Sequence, residues 1–228
     1  MHIGIETGKI VDIKADLAVS DKVLLDTRGM IVAPGLIDTH VHGAGGANPT
    51  DGKPESLHTM AKTLCRLGTT SFYATTFCYR DSQNDHLDML GSESTKADEA
   101  EHLGVHLEGP FISPMRKGGI PPRGLSKPDI KKAEALLSIS RGRLAILTLA
   151  PELPNMHDVM TLCRQAGFIL SLGHSDAGYE VATLGFKDGI KLVTHLHNAM
   201  RKYDRHADSP LEAILESRAY AQMISDGV

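Results

Sequence analysis

Four histidines and one glutamate stand directly after short apolar runs: His40 and His42, Glu108, His174, and His195. Imidazole nitrogens and carboxylate oxygens are the donors that hold a catalytic divalent cation while a coordination position stays open for water or substrate. In Asp38-Thr39-His40-Val41-His42 the two histidines are two apart, so a continuous strand turns both to one face. Taken alone, so short a pair fits a solvated loop edge as well as a ligand pair. Glu108 lies in His106-Leu107-Glu108-Gly109-Pro110-Phe111. A glutamate there is more often exposed to water, and if buried it needs a cation or hydrogen-bond donors. His174, in Gly173-His174-Ser175-Asp176-Ala177, and His195, in Val193-Thr194-His195-Leu196-His197-Asn198-Ala199-Met200, are 21 residues apart. A lone histidine at either position is more often a satisfied core or loop residue. The agreement of several run ends, not any one residue, points to metal chemistry.

The elements that must position these donors are legible as an alternation of β-type runs with amphipathic helical intervals. The runs are Leu36 to Val41, Thr70 to Thr76, Gly104 to Glu108, Leu144 to Leu149, Phe168 to Leu172, Lys191 to His195 and Tyr220 to Ser225. The helical intervals include Glu55 to Arg66, Asp129 to Leu137, Met156 to Ala166 and Leu211 to Ser217, and the polar interval Asp81 to Glu101 reads as helix and loop on the outer surface. Such a pattern predicts an α/β fold with a parallel sheet covered by helices. Polar residues at the C-terminal ends of different strands favour a TIM-type (β/α)8 barrel over an open sheet, which gathers its ligands at one switch point. The glycines of His42 to Ala47 do not form a G-x-G-x-x-G turn leading into a helix, so a dinucleotide site is not indicated.

With about seven strands by this count, the barrel is expected to be incomplete at the C-terminal end, lacking its last unit. The first residues read differently. Ile3 to Thr7, Ile10 to Ile13 and Lys22 to Asp26 alternate as small antiparallel strands, giving an expected partial β appendage over 1–32 and a barrel over 33–228.

Composition narrows the class. The 228 residues, 41% of them hydrophobic, are enough for one domain with an appendage, and the formal net charge of −4 gives no general attraction to nucleic acid or to an anionic membrane. Residues 1–17 carry five charged side chains and form neither a signal segment nor a span, and no later apolar run is long enough to cross a bilayer. Cys65, Cys78 and Cys163 are odd in number with no C-x-x-C pair, which argues against a disulfide framework and for a cytoplasmic setting.

Ala33 to His42 resembles the first-strand signature of the amidohydrolase superfamily. His106 to Phe111, Lys117-Gly118-Gly119, Ala150-Pro151-Glu152, Gly173-His174-Ser175, Thr194 to Met200 and Ser225-Asp226-Gly227 together resemble, in that order, the N-acetylglucosamine-6-phosphate deacetylases. This resemblance implies a divalent metal on Glu108, His174 and His195, zinc first with iron, manganese or cobalt as alternatives. It also implies a second metal position on His40 and His42 in some members. The implied substrate is a phosphorylated N-acetyl amino sugar, contacted by Gly119, Asn198, Ala199, Asp226 and Gly227, with Arg205 or His206 supplying positive charge; full-length relatives are commonly homodimers.

Ile120 replaces a histidine common in the family, and His206-Ala207-Asp208-Ser209-Pro210 replaces the usual R-E-P-G. The family's general acid/base aspartate falls, by this strand count, beyond Val228. No catalytic residue is therefore expected within this chain, which alone is expected to bind metal weakly and to turn over little or nothing. The alternatives are another amidohydrolase, acting on a related hexosamine phosphate or a cyclic amide, and a non-catalytic metal-binding fragment.

Overall fold

The computed structural model describes residues 2–7, 9–15, 25–80 and 84–227. The chain divides into two compact units, Met1–Pro34 and Gly35–Val228. In the first, β1 (His2–Glu6) pairs antiparallel with β2 (Lys9–Lys14), from His2 opposite Lys14 to Glu6 opposite Lys9. The third expected strand, Lys22 to Asp26, has its residues 22–24 outside the described residues, and Leu25 and Asp26 are not in a strand.

The second unit is a seven-stranded parallel sheet of β3 (Ile37–Val41), β4 (Ser71–Thr76), β5 (Glu101–Glu108), β6 (Leu144–Leu149), β7 (Ile169–Leu172), β8 (Ile190–Val193) and β9 (Tyr220–Ala221), each hydrogen-bonded to the next in chain order. Strictly sequential parallel order is barrel topology; a doubly wound sheet reverses its order part-way. The sheet curls far enough for Gln222, just past β9, to reach β3: its Nε2 donates to Thr39 Oγ1 at 3.0 Å and to the Thr39 carbonyl at 3.2 Å.

The helices between the strands are α1 (Pro54–Arg66), α2 (Asp85–Ser92), α3 (Ile130–Ile139), α4 (Met156–Gln165), α5 (Tyr179–Lys187) and α6 (Leu211–Glu216). In α1, Leu57, Met60, Ala61 and Leu64 are spaced i, i+3, i+4, i+7 and are buried, which is the stripe a helix needs to lie on a sheet. Proline at its first position costs no hydrogen bond. Gly68, at φ +90°, lets the chain reverse so that Thr69 N–H closes on the Leu64 carbonyl at 3.0 Å and β4 begins at once. Gly167 repeats the device between α4 and β7, also at φ +90°.

Two boundaries differ from expectation. The run Tyr220 to Ser225 forms only two residues of strand, because its neighbour β8 stops at Val193 and offers no further ladder. The polar interval 81–101 is not simply an outer surface: α2 buries His86, Leu87, Met89 and Leu90, and the His86 ring donates to the Phe77 carbonyl at 2.9 Å. The core between sheet and helices is built from Phe72, Phe111, Leu57, Met60, Leu107, Leu149 and Leu170, all fully buried. Each such side chain contributes about 1.5–3 kcal/mol relative to exposure.

Candidate metal centre

β5 is buried over its second half, and its period of two points His106 and Glu108 the same way. Glu108 Oε1 lies 2.9 Å from His174 Nε2 and 2.9 Å from His195 Nε2, and those two nitrogens are 3.2 Å apart. His40 Nε2 is 3.6 Å from Oε1, His42 Nε2 is 3.1 Å from Oε2, and the two histidines are 3.1 Å apart through Nε2. The four sequence-predicted histidines therefore converge on the carboxylate of the fifth candidate, Glu108. Among the described residues, His40, Glu108 and His195 form the group whose donor atoms lie within 4.8 Å of one another.

The outer nitrogens of two rings are already committed. His174 Nδ1 donates to the Arg116 carbonyl at 2.8 Å, and His40 Nδ1 to Gln222 Oε1 at 3.2 Å. Gln222 cannot present its amide nitrogen to His40, because that nitrogen serves Thr39. A neutral imidazole carries one proton, so with Nδ1 donating, Nε2 presents a lone pair. Lone pairs of His174 and His40 thus face the Glu108 carboxylate and each other's neighbours, which is unfavourable unless a cation lies among them. Ligand atoms about 2.0–2.2 Å from a tetrahedral ion are roughly 3.4 Å apart, close to the separations seen here. The donor set fits a divalent metal.

Burial alone would push the Glu108 carboxyl up, and it is held below the usual carboxylate range only by positive charge at the imidazoles of His174, His195, His42 and His40, the place a cation takes once His174 and His40 donate from Nδ1. Burial depresses His40 to about 4, the pull of Glu108 notwithstanding, so it is neutral and free to ligate at pH 7.

Beneath the ligands runs a hydrogen-bond chain that residue types alone did not disclose. Fully buried His106 donates from Nδ1 to the Thr39 carbonyl at 2.9 Å and accepts at Nε2 from Thr148 Oγ1 at 2.7 Å; Thr148 continues to Thr194 at 2.8 Å and Thr194 to Ser171 at 2.6 Å. Burial drives His106 down to about 3, consistent with a neutral ring accepting from threonine. Four strands are tied together where the ligands emerge. The backbone there is unusual: His174, His195, His197 and Ala199 have φ of 49°, 29°, 72° and 48°. Non-glycine residues held in the left-handed region cluster at functional sites.

An open cavity of about 1550 Å³ has His40, His42, Glu108, His174 and His195 on its wall, together with Gly119, Ile120, Gln222 and Ser225. The other residues proposed for the sugar phosphate are not on that wall. Ala199 is nonetheless close: a Cβ on Gly118 would come within 3.4 Å of its Cβ and 3.1 Å of His174 Cε1. Asn198 is exposed, and its backbone N–H donates to the His195 carbonyl at 2.8 Å. Arg205 and His206 bond to each other at 2.8 Å in an exposed loop, and Asp226 and Gly227 are exposed. The supporting residues that sequence reasoning missed are Gln222 and Arg116; Gln222 stands inside the apolar run Tyr220 to Ser225, where a lone polar residue was the available signal.

The sequence pattern of the amidohydrolase family matches residues 31–224. The chain belongs to the amidohydrolase family. Within it, this chain is 35% identical over 210 residues to the N-acetylglucosamine-6-phosphate deacetylase of Lysinibacillus sphaericus, covering 91% of this chain and 54% of that one. It is 30% identical over 236 residues to the enzyme of the same name from Bacillus subtilis (strain 168), covering 100% and 59%. A mutant of the N-acetyl-D-glucosamine-6-phosphate deacetylase from Mycobacterium smegmatis, solved in complex with N-acetyl-D-glucosamine-6-phosphate, superposes with a TM-score of 0.78 at 28% identity, covering 86% of this chain and 51% of that one. This amidohydrolase chain thus spans about half the length of the curated relatives it matches. Amidohydrolases are in general metal-dependent, in keeping with the donor set around Glu108. No helix among the described residues is long and apolar enough to cross a membrane.

Proposed function

We propose that this chain carries the metal-binding part of an N-acetylglucosamine-6-phosphate deacetylase, which releases acetate and glucosamine 6-phosphate. The observation that carries the reading is the convergence of His174 and His195 on Glu108 at 2.9 Å, with His40 and His42 beside them. Glu108, His174 and His195 would hold a divalent ion, zinc by preference, which when bound polarises an amide carbonyl and acidifies a water. His40 and His42 form a second position or a supporting pair.

The chain's own groups prepare that chemistry. Gln222 and the Arg116 carbonyl fix the tautomers of His40 and His174. Gly119, on the cavity wall, leaves its backbone open to a phosphate oxygen, with Asn198 and Ala199 on the neighbouring loop; Arg205, His206, Asp226 and Gly227 would join them only through movement of their exposed loops.

Deacetylation also needs a group that takes the water's proton and returns it to the leaving amine. Among the described residues the carboxylates on the cavity wall are Glu108 and Asp38, and Asp38 accepts the His40 backbone N–H at 3.0 Å. We therefore expect residues 1–228 to bind N-acetylglucosamine 6-phosphate in a metal-dependent manner and to turn it over slowly. Calorimetric titration with and without zinc, alongside acetate release, tests both parts. Absence of zinc-dependent binding would overturn the functional reading, and rapid acetate release would overturn the assignment of slow turnover. A homodimer and a cytoplasmic setting are proposed on the same family likeness; sedimentation of the chain checks the first.

A further inference from the structure

The ring of His174 is oriented by a segment that lies on a different strand's loop. Ser113 N–H donates to the His174 carbonyl at 2.8 Å, and His174 Nδ1 donates to the Arg116 carbonyl at 2.8 Å. Residues 113–116 therefore hold His174 at both its backbone and its ring. What fixes that segment in turn is the Arg116 side chain, whose Nε donates to Asp176 Oδ1 at 2.7 Å. Asp176 is two residues past His174, so the contact closes a small loop around the imidazole.

The carboxylate is anchored from the other side as well. Arg201 Nη2 donates to Asp176 Oδ2 at 3.0 Å, the Arg201 backbone N–H donates to the Ser175 carbonyl at 3.2 Å, and the Asp176 N–H donates to Glu152 Oε1 at 2.6 Å. Asp176 is thus gripped by two guanidinium groups from the loops after β5 and β8, while it sits on the loop after β7. Its side chain is 17% exposed, against 47–56% for the surface pair Arg141 and Asp88. Ion pairs of the latter kind contribute little, whereas partners that fix a ligand's tautomer and ring direction strongly affect metal affinity.

We propose that Asp176, clamped by Arg116 and Arg201, is a positioning residue that sets metal affinity by holding the Arg116 carbonyl against His174 Nδ1. The clamp commits His174 to the tautomer whose Nε2 lone pair faces Glu108. It also joins the loop carrying Gly118 and Gly119 to the loop carrying Asn198 and Ala199, so the metal and the proposed sugar-phosphate contacts share one support. The inference rests on the metal reading above, but its effect on the His174 tautomer does not require that a metal bind.

The test uses the 228-residue chain and two readouts: cobalt affinity by competition titration, and the His174 tautomer by long-range proton–nitrogen NMR on the metal-free protein. Arg116→Ala and Asp176→Asn are each expected to weaken cobalt binding by about tenfold or more and to mix the tautomers. Arg116→Lys, which keeps a cation beside Asp176, is expected to recover most of both. Arg141→Ala, removing the exposed pair with Asp88, is expected to change affinity by no more than about twofold. Wild-type affinity and an unmixed Nδ1–H tautomer in Arg116→Ala or Asp176→Asn would overturn the proposal. If Asp176→Asn does not fold, the comparison of Arg116→Ala with Arg116→Lys decides. If the wild-type chain binds no cobalt, the metal reading fails, and the tautomer comparison still judges the clamp.

Discussion

Replacing Gly118 by alanine and, separately, Gly119 by alanine should give opposite results from adjacent positions. Gly118 has φ +53°, a region where an L side chain costs about 1–2 kcal/mol. Its new Cβ would also stand 3.1 Å from His174 Cε1, so the imidazole must shift by a few tenths of an ångström away from its place beside Glu108. A fall in stability of about 1–2 kcal/mol corresponds to a melting temperature lower by roughly 2–8 °C in a chain of this size. Misdirecting one ligand should weaken metal binding by about tenfold. Gly119 has no positive φ, and a Cβ there meets nothing within 4 Å, so Gly119→Ala should leave both melting temperature and metal affinity at wild-type values. It projects into the cavity instead, and should weaken only the binding of the phosphorylated sugar. Thermal melts and a cobalt competition titration on both variants make the comparison. Equal metal affinities for Gly118→Ala and Gly119→Ala would refute the placement of the 117–119 turn against His174.

Two further outcomes follow from buried polar groups. His102, buried in β5 beside Phe72, is depressed to about 4, first by burial and then by Arg143. The unfolded chain takes up this proton below about pH 6.5 and the folded one only near pH 4, so stability present at pH 7 should fall by up to about 3 kcal/mol between those values. His102→Phe should remove that share of the acid sensitivity in urea melts at pH 7 and pH 4; an unchanged difference between the two pH values would contradict it. Thr148→Val removes the donor to His106 Nε2 and breaks the chain to Thr194, and should cost about 1–3 kcal/mol with the fold intact by circular dichroism. A melting temperature equal to that of the wild type would show that this hydrogen-bond chain contributes nothing to stability.

The barrel topology was legible because parallel strands buried on both faces read as apolar runs, as in Leu144 to Leu149, and because donors recur at their ends. The five candidate ligands stand out in the sequence for the same reason. What was not legible depends on contacts distant in sequence. Gln222 acts on Thr39 and His40 across the curl of the sheet, and the Arg116 carbonyl, a group every residue possesses, selects the tautomer of His174. The shortness of β9 depends on where β8 stops, and β8 stops because the chain enters positive φ at His195. In α2, Asp85, Asp88 and Ser92 gave a polar average that hid the buried Leu87 and Leu90. The resemblance implies a positive charge at Arg205 or His206 but not its direction, and the structure turns the two side chains to each other.

We propose that Glu108, His174 and His195 together hold one divalent ion. Zinc titration of the chain by competition with a chelating dye, run beside Glu108→Gln and His195→Ala, measures this. One bound ion per chain is expected in the wild type, with affinity reduced by at least about 100-fold in each variant. No stoichiometric binding, or binding that survives both substitutions, would contradict it.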